Sequence, residues 1–277
     1  MTEKIWFITG TTTGLGREWA IAALDRGDRV AATARNVDRI ADLVETYGDR
    51  VLPIALDVTD RRAAFDAVAR AHEHFGRLDV VVNNAGYGQY GMVEELSEQD
   101  VRDLIDTNLF GAVWVTQAAL PFLREQGSGH IVQVASVGGL MAGPSLGIYH
   151  ASKWALEGIS ESLAQEVRGF GIKVTILEPT GYSTAAEGSA RHATPNPAYA
   201  RQRERFAGNR SARTTREGDP EATRAAILAV VDAEEPPLRI IFGDGPLQMV
   251  TAIYESRLAT WREWEAVSVA AHGNPPG

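Results

Sequence analysis

The stretch Ile5-Trp6-Phe7-Ile8-Thr9-Gly10-Thr11-Thr12-Thr13-Gly14-Leu15-Gly16 decides the architecture. Residues 5–9 form a short run of apolar and β-prone side chains, which reads as a buried strand. Gly10, Gly14 and Gly16 then make a turn of spacing G-x3-G-x-G, and residues 17–25 continue with helical apolar spacing. Glycine permits positive φ and close approach of backbone to a ligand. The start of the following helix offers unpaired N–H groups and the positive end of its dipole, which suits a pyrophosphate. The spacing differs from G-x-G-x-x-G and lacks the Gly-Lys-Ser/Thr of a P-loop. A glycine-rich corner can also serve packing alone. Its place after the first strand argues for a ligand, because such sheets bind ligands at the carboxyl ends of their strands.

The same alternation continues outward. β-rich runs at 29–34, 51–56, 79–83, 130–135 and 173–177 are separated by helical stretches such as 37–47 and 61–75, and a seventh strand is expected at 238–242. The alternation predicts βαβ units in a Rossmann-like, doubly wound α/β fold, with a mostly parallel seven-stranded sheet and helices on both faces. One dinucleotide-binding and catalytic domain is expected over residues 1–277. The pattern lapses at 182–218, which holds Pro195, Pro197 and the arginines Arg201, Arg203, Arg205, Arg210, Arg213 and Arg216. A long insertion in an α/β protein reads as a substrate lid or a disordered surface loop, and a lid is expected here. The arginines are interleaved with Glu204 and Glu217, so a solvated helix is expected there rather than a phosphate or nucleic-acid site.

Composition narrows the function. The 277 residues carry 36 acidic and 27 basic side chains, a net charge of −9, which argues against nonspecific nucleic-acid or anionic-membrane binding. The absence of cysteine excludes disulfides, thiol catalysis and cysteine-ligated zinc. The apolar run at 5–8 is too short for a signal peptide, and the run at 225–231 falls far below the roughly 18 residues of a membrane span. A cytoplasmic protein is expected.

A second constellation lies near the middle of the chain. Tyr149-His150-Ala151-Ser152-Lys153 begins an expected helix, and residues four apart share a helix face. An ammonium beside a phenol lowers the phenol's pKa from about 10, making Tyr149 a candidate acid–base. Ser136 follows the strand at 130–135, which places its hydroxyl at the carboxyl edge of the sheet. Taken singly, these are also a surface Tyr–Lys pair and a turn serine. His150 is turned about 100° from Tyr149, and is expected to face away from the site as a structural residue. Leu258, Trp261 and Trp264 share one face of the last helix, where core or subunit packing is expected.

In order along the chain stand Thr9 to Gly16, Asn83-Asn84-Ala85-Gly86, Asn108, Ser136, Tyr149 with Lys153, and Pro179 to Thr184. Order, spacing and strand position together resemble the shorter, single-domain branch of the short-chain dehydrogenase/reductase family, over roughly residues 5 to 184. The resemblance implies reversible hydride transfer between a nicotinamide and a carbinol or carbonyl carbon, with no metal. It makes Tyr149 the acid–base and Ser136 the group that orients the substrate oxygen. Lys153 would lower the phenol pKa and meet the nicotinamide ribose, and Asn108 would hold a water in a proton relay. The cofactor would lie against Gly10, Thr12, Thr13, Gly14, Leu15 and Gly16. Asp57 and Val58 would meet the adenine, with Asn84, Ala85 and Gly86 as a wall on the adenosine side. Pro179 and Thr184 would stand by the nicotinamide. Pro179-Thr180-Gly181 departs from the family's Pro-Gly. An epimerase or dehydratase on a related fold, a non-catalytic dinucleotide sensor, and a subunit of a larger assembly remain as alternatives. The first two typically show a different glycine spacing or lack the tyrosine or lysine.

Two details refine the expectation. An NAD-preferring site places a carboxylate at the end of the second strand, whereas this strand ends Ala34-Arg35-Asn36. Arg35 offers a fork of donors suited to a 2′-phosphate, with Thr12 as a second donor, so NADP(H) is expected over NAD(H). The plain alternative is an arginine that only faces solvent. Tyr87, Tyr90, Met92, Leu140, Met141, Leu146 and Ile148 suggest a mainly apolar pocket for a small-molecule carbonyl or alcohol. A homodimer or homotetramer is expected, built partly from helices around 104–123 and 149–168.

Overall fold

The computed structural model describes residues 3–183, 190–211 and 217–273. Along the chain run β1 (Ile5–Ile8), α1 (Gly14–Arg26), β2 (Arg29–Ala34), α2 (Ala41–Tyr47), β3 (Val51–Ala55), α3 (Arg61–Phe75), β4 (Val80–Asn83) and β5 (Gln89–Tyr90). Then follow α4 (Glu98–Ile105), α5 (Gly111–Gln126), β6 (Gly129–Val134), α6 (Gly147–Val167), β7 (Ile172–Pro179) and β8 (Arg191–His192). The last elements are α7 (Ala200–Ser211), α8 (Thr223–Asp232), β9 (Arg239–Phe242), α9 (Pro246–Glu263) and α10 (Glu265–His272). Seven strands form one parallel sheet in the order β3-β2-β1-β4-β6-β7-β9. The chain starts in the middle, winds to one edge, then crosses to β4 and winds to the other. The switch between β1 and β4 opens a crevice at the carboxyl ends of those strands.

The strands are apolar on both sides because both sides are covered. Ile5 and Phe7 of β1 pack with Val81, Ile131 and residues of α3 and α5, including Val68, Val115 and Leu123. Trp6 and Ile8, one residue out of phase, pack with Val80, Val82, Trp19 of α1 and Ile227 of α8. This is the period-two alternation of a strand buried between two helical layers. The two fully buried indoles satisfy their N–H groups, Trp6 on Asp28 and Trp19 on Thr223, each at 2.8 Å.

Three features differ from the sequence reading. The expected helix over 37–47 begins as a 3₁₀ turn, Val37–Ile40, because the Asn36 side chain accepts the Asp38 N–H at 3.0 Å and starts the turn early. β5 and β8 form a second, two-stranded parallel sheet. The last helical region does not join the core: Leu258, Trp261 and Trp264 are 41%, 67% and 60% exposed.

The described part of the insertion is fastened down rather than free. Arg191 pairs with Asp103 at 2.6 Å, and Tyr199 donates to Glu94 at 2.7 Å. Glu95, whose side chain is 2% exposed, takes the Asn196 N–H at 2.8 Å, the Met92 N–H at 2.8 Å and an ion pair from Arg203. α7 stands where the arginine run predicted a solvated helix, and Arg201 and Arg205 are exposed on it.

Candidate active site

The glycine loop is shaped by contacts that only glycine admits. Gly10 and Gly14 take φ of 72° and 63°, in the left-handed region. A Cβ on Gly16 would meet the Asn84 amide and lie 2.6 Å from the Gly10 carbonyl oxygen. Thr11 is buried, and its N–H and hydroxyl both donate to the Thr33 carbonyl, at 3.0 and 3.1 Å. That ties the loop to β2. The Thr9 hydroxyl receives the N–H groups of Asn84 and Ala85, both at 2.9 Å. Asn84 in return donates from Nδ2 to the carbonyls of Thr9 (2.9 Å) and Gly10 (3.1 Å). The Asn84 side chain therefore braces the loop, and Ala85 and Gly86 are left as the open wall. Thr13 begins α1 without a side-chain cap, and the first turn holds no acid. With Thr12, Thr13, Gly14 and Leu15 only half-buried around it, the dipole end stays open to an anion. These residues fit the pyrophosphate of a dinucleotide.

The adenosine end is less enclosed. Arg35 is exposed, and among the described residues its side chain makes no hydrogen bond or ion pair. Ala34 is 3% exposed within an apolar cluster, so a carboxylate introduced there would be buried. Asp57 spends one oxygen on the N–H (3.0 Å) and hydroxyl (2.8 Å) of Thr59. Val58 is buried against Gly111, where a Cβ would come within 2.6 Å of it.

The second constellation assembles beyond β4 and β6. A π-helical turn, Asp106–Phe110, joins α4 to α5 and carries Asn108, which is 1% exposed. Asn108 accepts the Tyr87 N–H at 3.0 Å and donates to the Tyr87 carbonyl (3.0 Å) and the Ser152 hydroxyl (3.2 Å). A Cβ on Gly86 would lie 3.0 Å from Asn108 Oδ1 and 3.6 Å from Lys153 Nζ, so the bare glycine brings the two polar groups side by side. Lys153 donates to the Val134 carbonyl at 2.8 Å and lies 5.9 Å from the Tyr149 ring centre. Ser136 starts a 3₁₀ turn, accepts the Gly138 N–H at 3.0 Å, donates to the Pro179 carbonyl at 3.3 Å, and lies next to Tyr149. Asn108, Ser136, Tyr149 and Lys153 are thus brought together.

The electrostatics correct one expectation. Burial raises the Tyr149 phenol, the neighbouring Ser136 hydroxyl lowers it, and nearby Tyr90 raises it. The net direction is up, not down. Burial also pulls the Lys153 ammonium down to about 8, against the charge of Glu157. Desolvation outweighs the helix-face proximity, and the ammonium is engaged by the Val134 carbonyl.

His150, expected to face away from the site, does not. Its ring packs edge-on to Tyr149, with centres 6.0 Å apart. Nε2 accepts the Gly143 N–H at 3.0 Å, so Nδ1 carries the proton and donates to the Gly138 carbonyl at 2.9 Å. His150 thereby holds the loop that follows Ser136. The departure at Thr180 is absorbed by β9: its N–H and hydroxyl reach the Phe242 carbonyl at 2.9 and 3.3 Å, and a Cβ on Gly243 would collide with it. Thr184 lies outside the described residues. Beside the site, Tyr90 stacks on His192 with centres 4.9 Å apart, and Arg191 lies 4.7 Å from the centre of the Tyr87 ring. Met92 and Leu140 are buried, while Met141, Leu146 and Ile148 are half-buried.

The sequence reading missed the Thr9–Asn84 brace and Glu157, although Glu157 stands one helical turn beyond Lys153, a spacing visible in the sequence.

Fold and site together define a class, an oxidoreductase with a dinucleotide cradle at the switch point of a parallel sheet. The chain belongs to the short-chain dehydrogenase family, whose model matches residues 4–195, and it is an NAD(P)-dependent enzyme of that family. It is 42% identical over 271 residues to the oxidoreductase BOA17 of Botryotinia fuckeliana, covering 97% of this chain and 99% of that one. A short-chain dehydrogenase from Streptomyces avermitilis superposes with a TM-score of 0.89 at 40% identity, covering 98% of each chain. ElxO, solved with NADP bound, superposes with a TM-score of 0.73 at 26% identity, covering 87% of this chain and 98% of that one. Among the described residues, no helix is long and apolar enough to cross a membrane.

Proposed function

We propose that the protein interconverts a carbonyl and a secondary alcohol on a mainly apolar small molecule, using NADP(H) in preference to NAD(H). The observation that carries this reading is the convergence of Ser136, Tyr149, Lys153 and Asn108 beside the glycine cradle. When bound, the nicotinamide supplies or accepts the hydride; the protein's own groups orient and manage the proton. Gly10, Thr12, Thr13, Gly14, Leu15 and Gly16 hold the pyrophosphate, and Arg35 meets the 2′-phosphate. Asp57, Val58, Ala85 and Gly86 border the adenosine, with Pro179 and Thr184 toward the nicotinamide. Ser136 Oγ holds the substrate oxygen. Tyr149 Oη, kept protonated by burial, donates to it in the reducing direction and takes the proton back in the oxidising one. Lys153 Nζ and Asn108 stand behind the phenol, on the path by which its proton is replaced.

Support for NADP(H) comes from the exposed Arg35, unpaired among the described residues, and the absence of a carboxylate at Ala34. Support for an apolar substrate comes from Met92 and Leu140, apolar and buried in the loops expected to line the pocket. The insertion at 182–218 serves as the substrate lid, its described part resting on the loop around Glu95. A cytoplasmic homodimer or homotetramer is the working form, its exposed Trp154, Ile159 and Phe110 lying on or next to the helices expected at the interface. The test is Tyr149→Phe: loss of a general acid–base costs about 10²–10⁴ in rate, while binding of NADPH is retained. More than about a tenth of wild-type kcat in that variant would refute the assignment.

A further inference from the structure

One turn beyond Lys153 on α6 stands Glu157, with 8% of its side chain exposed, in a region the proposed reaction does not use. A carboxylate is costly to bury unless it is paired. Groups from three elements face it. From β9, Arg239 Nε lies 3.0 Å from Glu157 Oε2, while its NH2 nitrogen holds Glu161 of α6 at 2.8 Å. From β7, Glu178 brings a second buried carboxyl whose Oε1 is 3.7 Å from the same Arg239 Nε. From α6 itself comes Lys153, four residues earlier, on the same helix face. Among the described residues, Glu157 Oε1 has no hydrogen-bond partner, so this oxygen is committed to none of the neighbours.

The packing leaves little freedom. A Cβ on Gly139 would lie 3.0 Å from Glu157 Cγ and 3.1 Å from the Lys153 carbonyl oxygen. The turn 153–157 is thus seated against the turn that begins at Ser136. Three carboxyls share one guanidinium here, which leaves negative charge in excess. One helical turn before Glu157, outside direct ion-pair contact with it, is a buried ammonium whose hydrogen bond runs to a neutral carbonyl, that of Val134.

We propose that Glu157 is the counter-charge of Lys153, a positioning residue that keeps the ammonium charged and held between Val134 and Gly86. This rests on the reading of Lys153 as the partner of Tyr149. The electrostatic directions agree with the geometry. Burial draws Lys153 down to about 8, and Glu157 is the charge that opposes it. Burial raises Glu178 to about 7, with the charge of Glu157 adding to it, so a proton on Glu178 relieves the excess negative charge near neutral pH. Burial raises Glu157 as well, while Arg239 and Lys153 pull it down.

The chain has only three lysines, Lys4, Lys153 and Lys173. The full-length protein labelled at lysine Cε therefore gives three NMR signals, with Lys153 assigned by its loss in Lys153→Met. In the wild type its signal titrates near pH 8. In Glu157→Gln it titrates about one pH unit lower, while Lys4 and Lys173 do not move. Glu157→Asp, which keeps the charge, restores most of the shift and serves if the Gln variant does not fold. The limb of the kcat–pH profile governed by Lys153 moves with the signal. A Lys153 signal unmoved in Glu157→Gln overturns the proposal and leaves the catalytic reading standing. A signal that moves while the kcat–pH profile stays fixed sinks the catalytic reading of Lys153, and with it the role given to Glu157.

Discussion

Replacing Arg35 by alanine isolates the cofactor preference. The guanidinium is exposed and makes no hydrogen bond or ion pair among the described residues, so a 2′-phosphate would not have to displace an existing partner. A charge-assisted contact contributes about 1.5–3 kcal/mol, and solvent exposure places this one at the low end. About 1.4 kcal/mol corresponds to a tenfold change in affinity. NADPH affinity should therefore fall about tenfold in Arg35→Ala, while NADH affinity stays within about twofold. The wild-type preference should shrink as salt is raised, because an exposed contact is screened. Titration with each reduced cofactor, followed by energy transfer from tryptophan to the dihydronicotinamide, reads both affinities without a substrate. The single variant is cleaner than a double change that adds an aspartate at Ala34, since Ala34 lies in an apolar cluster. Equal loss for both cofactors, or no loss for NADPH, would refute the assignment of Arg35.

Three further outcomes follow from the geometry. Gly16→Ala drives a methyl into the Gly10 carbonyl and the Asn84 amide, and should cost about 1–3 kcal/mol in thermal unfolding along with most NADPH binding; unaltered NADPH binding would show that the loop is not the cradle. Burial lowers His130 to about 4 from 6.5, so the unfolded chain binds the extra proton between those values, and stability present above pH 6.5 is lost as pH falls through 4. At most about 3 kcal/mol is at stake, and His130→Gln should flatten that part of the urea-unfolding pH profile. Glu95→Gln loosens two contacts to the insertion, those of Asn196 and Arg203, and should speed limited trypsin cleavage within 182–218 about tenfold, corresponding to about 1.4 kcal/mol of local opening; cleavage that begins elsewhere would argue against a strapped lid.

The sheet was legible because its strands are covered on both faces. Val80-Val81-Val82 can be nothing but a doubly buried strand once helical stretches flank it. The proposed catalytic group was legible because Tyr149 and Lys153 sit four apart on one helix and Ser136 follows a strand, so local spacing carries their placement. What failed was what depends on distance in sequence. β5 and β8 are two residues each and show no period, so only tertiary contact reveals them. The direction of the Tyr149 shift depends on how much water the fold removes, which spacing does not encode. Arg239 meets Glu157 across 82 residues of chain, and no local pattern announces that contact. Ala34 was a blank in the sequence; its neighbours in the fold decide that a carboxylate there would be buried.

The six tryptophans divide into populations that light can tell apart. Trp6 and Trp19 lie wholly inside, with their indole N–H groups bonded, whereas Trp261 and Trp264 stand in water along the last helices and Trp154 is partly exposed. Emission from the inner pair should be blue and indifferent to a dissolved quencher, because no quencher reaches it without unfolding. Emission from the outer group should be red and quenched in proportion to exposure. If a second copy covers α9 and α10, dilution will raise the red, quenchable fraction and leave the blue one unchanged. Unfolding will abolish the distinction altogether. The wild-type chain therefore carries separate optical reporters of association and of core integrity, with no label required.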